Sequence, residues 1–256
     1  MVDLWQLIVL SYPVVFVVTL PFFYIFKGYS NYIANEPIIS FLEDYIIKNY
    51  GYVWFSLVYF SFLLVYIQPD YTVPRKKKIQ LIKWYGINSL FFFLTQTWFF
   101  GPSIFERINM ATGGHCEIGG ITREAECKAN GGPWINGFDS SGHFYFLISI
   151  SLLVWREFLV HLEIPSRIQL PNGSGIDLER GIFSNQNDRD GLSDIQWDNI
   201  YVRIYRSTIM WIASAFLGVW YFMYLITCIF FHTVPEKIVG TLCGVFVPLL
   251  VVYFDV

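Results

Sequence analysis

The sequence predicts an all-α polytopic membrane protein, a single domain of six transmembrane helices. Three observations lead there. Of its 256 residues 55% are hydrophobic and 20% aromatic, and only 14% are charged, against roughly 25% charged residues in average soluble domains. A chain so poor in charge would expose apolar surface on every side in water, and its mean hydropathy is +0.47. The apolar residues also gather in runs that approach the ~20 residues a bilayer span needs. The net charge of −3 argues against a nucleic-acid partner, and the composition excludes disordered, collagen-like and disulfide-rich secreted classes. Internal repeats and low-complexity segments are absent from the sequence.

The first apolar run covers about 4–26. It lacks the basic leader and small-residue cleavage site of a signal peptide, so it is expected to remain as a span, kinked at Pro13 and Pro21. The second, 52–67, is short and aromatic-rich and can borrow from Tyr45–Tyr50. The third covers 84–101, the fourth 144–162, the fifth 208–231 and the sixth 238–254. Orientation follows from basic residues in the loops. With both termini in the cytosol, the cytosolic loops hold ten basic residues: Arg75, Lys76, Lys77, Lys78, Lys83, Arg167, Arg180, Arg189, Arg203 and Arg206. The opposite side holds six: Lys27, Lys48, Arg107, Arg123, Lys128 and Lys237. The run Arg75–Lys78 contributes most, and its plain reading is a topology anchor rather than a site for anionic lipid.

This orientation places loop 102–142 in the lumen and loop 163–206 in the cytosol. Cys116 and Cys127 in the lumenal loop could form a disulfide there. A zinc site from His115, Cys116 and Cys127 is weaker, since three ligands match no closed four-ligand pattern. Cys228 and Cys243 fall in spans and read as packing residues. The sequon Asn172-Gly173-Ser174 falls on the cytosolic side, where it stays unglycosylated. The stretch Pro171–Asp198, rich in Gly, Asn, Asp and Ser, reads as a flexible insertion rather than as a docking site for cytosolic proteins, which is the alternative for loop 163–206.

Two histidines stand out by position. His143 follows Asp139-Ser140-Ser141-Gly142 at the start of the fourth run, and His232 precedes Thr233-Val234-Pro235-Glu236 at the end of the fifth. These runs cross in opposite directions, so two imidazoles 89 positions apart emerge on one membrane face. Ser140 or Ser141 can cap the fourth helix, Gly142 admits close backbone approach, and the helix start favours an anion such as phosphate. A plain helix cap is the simpler reading of that tetrapeptide alone. Glu236 can orient His232 and leave its other ring nitrogen as a nucleophile; the simpler reading is an interfacial histidine beside solvated charges. The dipoles point the wrong way for these roles, disfavouring a charged His143 and favouring a charged His232. His161 reads as an interface residue, and His115 as a residue that could line the site. Arg107, Arg123, Lys128 and Lys237 are the cations available on that face to hold phosphate. No cluster requires a metal or other cofactor.

The segments Phe138-Asp139-Ser140-Ser141-Gly142-His143-Phe144 and Phe230-Phe231-His232-Thr233-Val234-Pro235-Glu236-Lys237 resemble those of the fat storage-inducing transmembrane (FIT) family, in its fungal branch. The resemblance extends over most of the chain. That family is related to the lipid phosphate phosphatases, which implies a phosphatase-like helical bundle with His143 as the leaving-group acid and His232 as the nucleophile that forms a phosphohistidine. The chain departs from the phosphatase motifs in three places. Ile226 stands where the third motif has arginine, Glu236 replaces its aspartate, and the first motif, Lys-x6-Arg-Pro, is absent. The resemblance further implies an endoplasmic reticulum enzyme that splits the diphosphate of fatty acyl-CoA into acyl 4′-phosphopantetheine and adenosine 3′,5′-bisphosphate, in support of lipid-droplet formation and membrane homeostasis. Its partners would be fatty acyl-CoA and membrane lipids. Two alternatives stand beside it: a phosphatase of lipid phosphates such as phosphatidate, and a non-catalytic protein that binds neutral lipid or recruits partners through loop 163–206.

Overall fold

A computed structural model describes residues 3–67, 75–96, 101–139, 142–163 and 189–253, with side chains except at Ile67, Ala125, Lys128, Glu163 and 189–203. Ser141, the Asn172 sequon and most of loop 163–206 lie outside the described residues.

Helix α1, Leu4–Phe26, starts at Asp3, whose carboxylate accepts from the Trp5 amide while Gln6 closes a capping box. It runs on through Pro13 and Pro21. A 3-10 turn at Lys27–Tyr29, α2 (Ser30–Ala34), α3 (Pro37–Phe41) and a π-helical turn at Leu42–Lys48 then lead to α4, Gly51–Ile67. Helix α5 spans Arg75–Gln96, so the basic run forms its first turn instead of preceding it. The segment expected as a plain loop after it is structured. It holds α6 (Ile104–Ala111), the strand β1 (His115–Cys116), α7 (Glu124–Ala129) and the strand β2 (Trp134–Ile135), with β1 and β2 paired antiparallel. Asn109 ties this segment together, accepting from the Trp134 indole N–H at 3.1 Å. Helices α8 (Gly142–Glu163), α9 (Arg189–Phe230) and α10 (Val234–Tyr253) complete the chain. Helix α9 begins 19 residues before the apolar run at 208, so the stretch expected as a loop up to 206 ends as helix; the apolar signal marks only the hydrophobic part of a longer helix.

Four stretches are long and apolar enough to cross a membrane: Leu4–Ala34, Gly142–Leu162, Ile204–Phe230 and Val234–Tyr253. The other two predicted spans fall short of that mark among the described residues. Gly51–Tyr66 is apolar but shorter, and α5 is interrupted by Gln80, Lys83, Asn88 and Gln96.

Helix α8 is the hub, packed against α1, α4, α5, α9 and α10. In its apolar window 78% of residues are buried, against 28% for Leu4–Ala34 and 39% for each of the other two candidate spans. Tyr12 of α1 bonds Ser151 of α8 at 2.6 Å, and its carbonyl accepts from the Tyr224 hydroxyl of α9 at 2.7 Å. At the C-terminal end of α8 a buried knot joins three helices. Tyr66 of α4 donates to Glu157 at 2.9 Å and stacks on the His161 ring at 4.7 Å, while Arg206 of α9 donates to the His161 carbonyl. His161 is fully buried, a core residue rather than the interface residue its position suggests. The other end of α8 carries His143. There the first residues of α4, α8 and α10 meet the last residues of α1, α5 and α9, as the Phe26–Phe230 ring contact at 6.5 Å and the approach of Gln96 to Gly142 attest.

Candidate active site

Helix α9 ends at Phe230 because His232 adopts φ 60°, a left-handed conformation that stops an α-helix. The turn re-enters helix at once: Glu236 in the first turn of α10 accepts the Thr233 amide at 2.7 Å, as in a capping interaction. The other oxygen of Glu236 accepts the backbone N–H of Asp139 at 3.2 Å. One buried carboxylate therefore fastens the segment before His143 to the turn that carries His232.

This junction brings the two histidines together, with ring centroids 6.1 Å apart and planes inclined by 52°. His232 Nδ1 lies 3.7 Å from Asp139 Oδ2 and 3.8 Å from Glu236 Oε2, so two carboxylates face that nitrogen. His232 is 15% and His143 28% exposed, so both rings are reachable from one side. Burial pushes the His232 imidazole below its ordinary 6.5, with Glu236 opposing and Lys237 assisting. The helix-end dipole argued for a charged His232, but loss of hydration outweighs it. Gly142 has a steric reason to be glycine: a Cβ there would come within 2.6 Å of Gln96 Oε1, so the Gln96 amide lies directly over the start of α8. The Gln96 Nε2 is buried without a hydrogen-bond partner.

Of the predicted cations whose side chains are described, two bond loop carbonyls and one turns inward. Arg107 donates to the Pro102 carbonyl at 2.9 Å and Arg123 to the Gly101 carbonyl at 2.8 Å. Lys237 is fully buried, its Nζ 2.7 Å from the Cys228 carbonyl and 3.5 Å from the centre of the Phe23 ring. It points into the protein because the helix start at Val234 turns it toward α9 and α1. The Lys128 side chain and Ser141 lie outside the described residues. His115 is exposed on the ribbon, its Nδ1–H donating to the Gly113 carbonyl at 2.9 Å. Cys116 and Cys127 are joined in a disulfide, which removes both thiolates from any zinc site. Among the described residues no three His, Cys, Asp or Glu side chains cluster as metal ligands.

Residues 30–253 match the family model described as fat storage-inducing transmembrane protein. This chain belongs to that family. The range matched includes both histidines. The chain is similar to acyl-coenzyme A diphosphatase YFT2 of Saccharomyces cerevisiae, 33% identical over 142 residues, which are 55% of this chain and 41% of that protein. It is also similar to acyl-coenzyme A diphosphatase fit1 of Schizosaccharomyces pombe, 27% identical over 232 residues, 85% of this chain and 74% of that one. A human relative, acyl-coenzyme A diphosphatase FITM2, is 25% identical over 158 residues, 59% of this chain and 48% of its own. The matches thus span less than half the length of the budding-yeast and human relatives. No solved structure matches.

The candidate site contains a pair of residues that motif reading misses. Glu43 Oε1 lies 2.7 Å from Lys48 Nζ and 3.8 Å from His143 Nε2. Residues five apart do not share a face of an α-helix, but a π-helical turn closes i to i+5, and Leu42–Lys48 is such a turn. Helical periodicity could not have paired them; the signal was a charged pair between two apolar runs.

Proposed function

We propose that this FIT protein is a fatty acyl-CoA diphosphatase of the endoplasmic reticulum membrane, with six spans, both termini in the cytosol and its site facing the lumen. The approach of His143 and His232, 6.1 Å apart across 89 residues of sequence, is the observation that carries the reading. The names of the relatives supply the substrate, and a phosphate group is the size that fits between two such rings. The disulfide on the same side of the chain supports an oxidising compartment for that end.

In this mechanism the carboxylates of Asp139 and Glu236 keep the proton of His232 on Nδ1, leaving the Nε2 lone pair free. Nε2 attacks one phosphorus of the diphosphate and a phosphohistidine forms. The bond from that phosphorus to the bridging oxygen breaks, and His143 delivers its proton to the departing phosphate. Water then attacks the phosphohistidine, with His143 taking a proton back, so that one water is consumed and acyl 4′-phosphopantetheine and adenosine 3′,5′-bisphosphate are released. The acyl tail stays in hydrocarbon, where each buried CH2 contributes ~0.8 kcal/mol.

The test is hydrolysis of a long-chain acyl-CoA by purified protein. His143→Ala is expected to lower kcat on the order of 10²–10⁴-fold, the usual contribution of a positioned proton-transfer group, and His232→Ala, which removes the nucleophile, to lower it at least as far. Hydrolysis at the wild-type rate by either variant would remove the mechanism.

A further inference from the structure

A diphosphate needs cationic neighbours, and the surroundings of the histidine pair are acidic. Asp139 and Glu236 face His232, Glu43 faces His143, and Glu124 adds negative potential at His232. Arg107 and Arg123 donate to loop carbonyls and Lys237 is turned inward. Lys48 differs from these. Its side chain is 49% exposed, and its ammonium is bound at 2.7 Å to the same Glu43 oxygen that stands 3.8 Å from His143 Nε2. A single carboxylate oxygen thus lies between an ammonium and an imidazole, and that is the setting a phosphate oxygen takes in a charge-assisted pair.

We propose that Lys48 is the cation that binds the substrate's diphosphate, with Glu43 presenting the ammonium at the edge of the histidine pair. The proposal rests on the diphosphatase reading above. The π-helical turn Leu42–Lys48 is what makes the geometry, since it sets Glu43 and Lys48 on one side and faces both toward the start of α8. When the substrate arrives, a phosphate oxygen takes the position of Glu43 Oε1 between Lys48 and His143, and Lys48 exchanges a carboxylate for a more highly charged partner. Glu43 is then a competitor for Lys48 as well as its guide, so loss of the two residues has opposite consequences.

Full-length protein carrying His232→Ala, which holds substrate without turnover, is titrated in detergent with a long-chain acyl-CoA and with the matching acyl-pantetheine, which has no phosphate. Adding Lys48→Ala is expected to weaken acyl-CoA binding at least tenfold and Lys48→Arg by less than threefold, with acyl-pantetheine unchanged in both. Glu43→Gln should leave acyl-CoA binding equal or tighter. In the active protein, Lys48→Ala should raise KM for acyl-CoA by more than it lowers kcat. Unchanged acyl-CoA binding by Lys48→Ala overturns the proposal. So does an equal loss of both ligands, or an equal loss in Glu43→Gln and Lys48→Ala, since either marks a purely structural ion pair. If the histidine variants hydrolyse acyl-CoA normally, the catalytic reading fails, while the KM-against-kcat comparison of Lys48→Ala in the active protein still decides the role of Lys48.

Discussion

His232 occupies the left-handed region with φ 60°, which costs a residue with a side chain of order 1–3 kcal/mol. Asparagine tolerates that region and valine does not. His232→Asn and His232→Val are therefore both expected to be inactive, but the valine variant should unfold with ~1–2 kcal/mol less stability, a difference read from thermal unfolding in detergent. Burial also holds His232 below its ordinary 6.5. The unfolded chain then binds a proton that the folded chain refuses, so stability falls as pH drops through the unfolded value and toward the folded one. The acid limb of the activity profile that belongs to His232 is expected below pH 6.5. Glu236 raises the His232 value, so Glu236→Gln should move that limb to still lower pH; a limb that stays in place or moves up would show that another group sets it. The two histidines were legible in the sequence because each flanks an apolar run, and opposite crossings bring run ends to one face. Glu43 was not, because neither the π-helical turn that pairs it with Lys48 nor its tertiary approach to His143 is marked by an apolar pattern.

Among the helices, α10 packs its Gly244 directly against α8. A Cβ at Gly244 would stand 2.9 Å from Ile148 Cβ and 3.0 Å from the Tyr145 carbonyl, and a backbone carbonyl cannot swing aside. Gly244→Ala is expected to force the pair apart and lower the unfolding temperature by several degrees, as an overpacked contact costing ~1–3 kcal/mol does. Gly218→Ala in α9 meets nothing within 4 Å and should leave it unchanged or slightly higher. Apolar runs disclosed α1, α4, α8 and α10 nearly to their ends, since lipid and core select the same residues. They understated α9, whose first turns before the run at 208 are polar, and they hid α6, α7 and the ribbon. Short elements fixed by capping, by Asn109 and by a disulfide leave no long periodicity.

For the molecule in its membrane, the proposed orientation makes a direct prediction. A glycosylation sequon engineered into the exposed β1 to α7 connection, Glu117–Thr122, should acquire a glycan in microsomes, while the natural Asn172 sequon should not. A glycan on Asn172 would reverse the topology. The disulfide closes a loop of 11 residues, worth about 3 kcal/mol in the chain-entropy account. Cys116→Ser is expected to loosen the segment between α5 and α8, read as faster proteolysis there, with the bundle itself retained. The burial of α8 bears on a different question, that of membranes that differ in thickness. A helix surrounded by five others meets other side chains where its neighbours meet acyl chains, so the outer helices absorb a mismatch by tilting while α8 keeps its place. A protein of this plan can be transplanted between thin and thick bilayers by changing residues on the rim, with the helix whose first turn carries His143 left untouched.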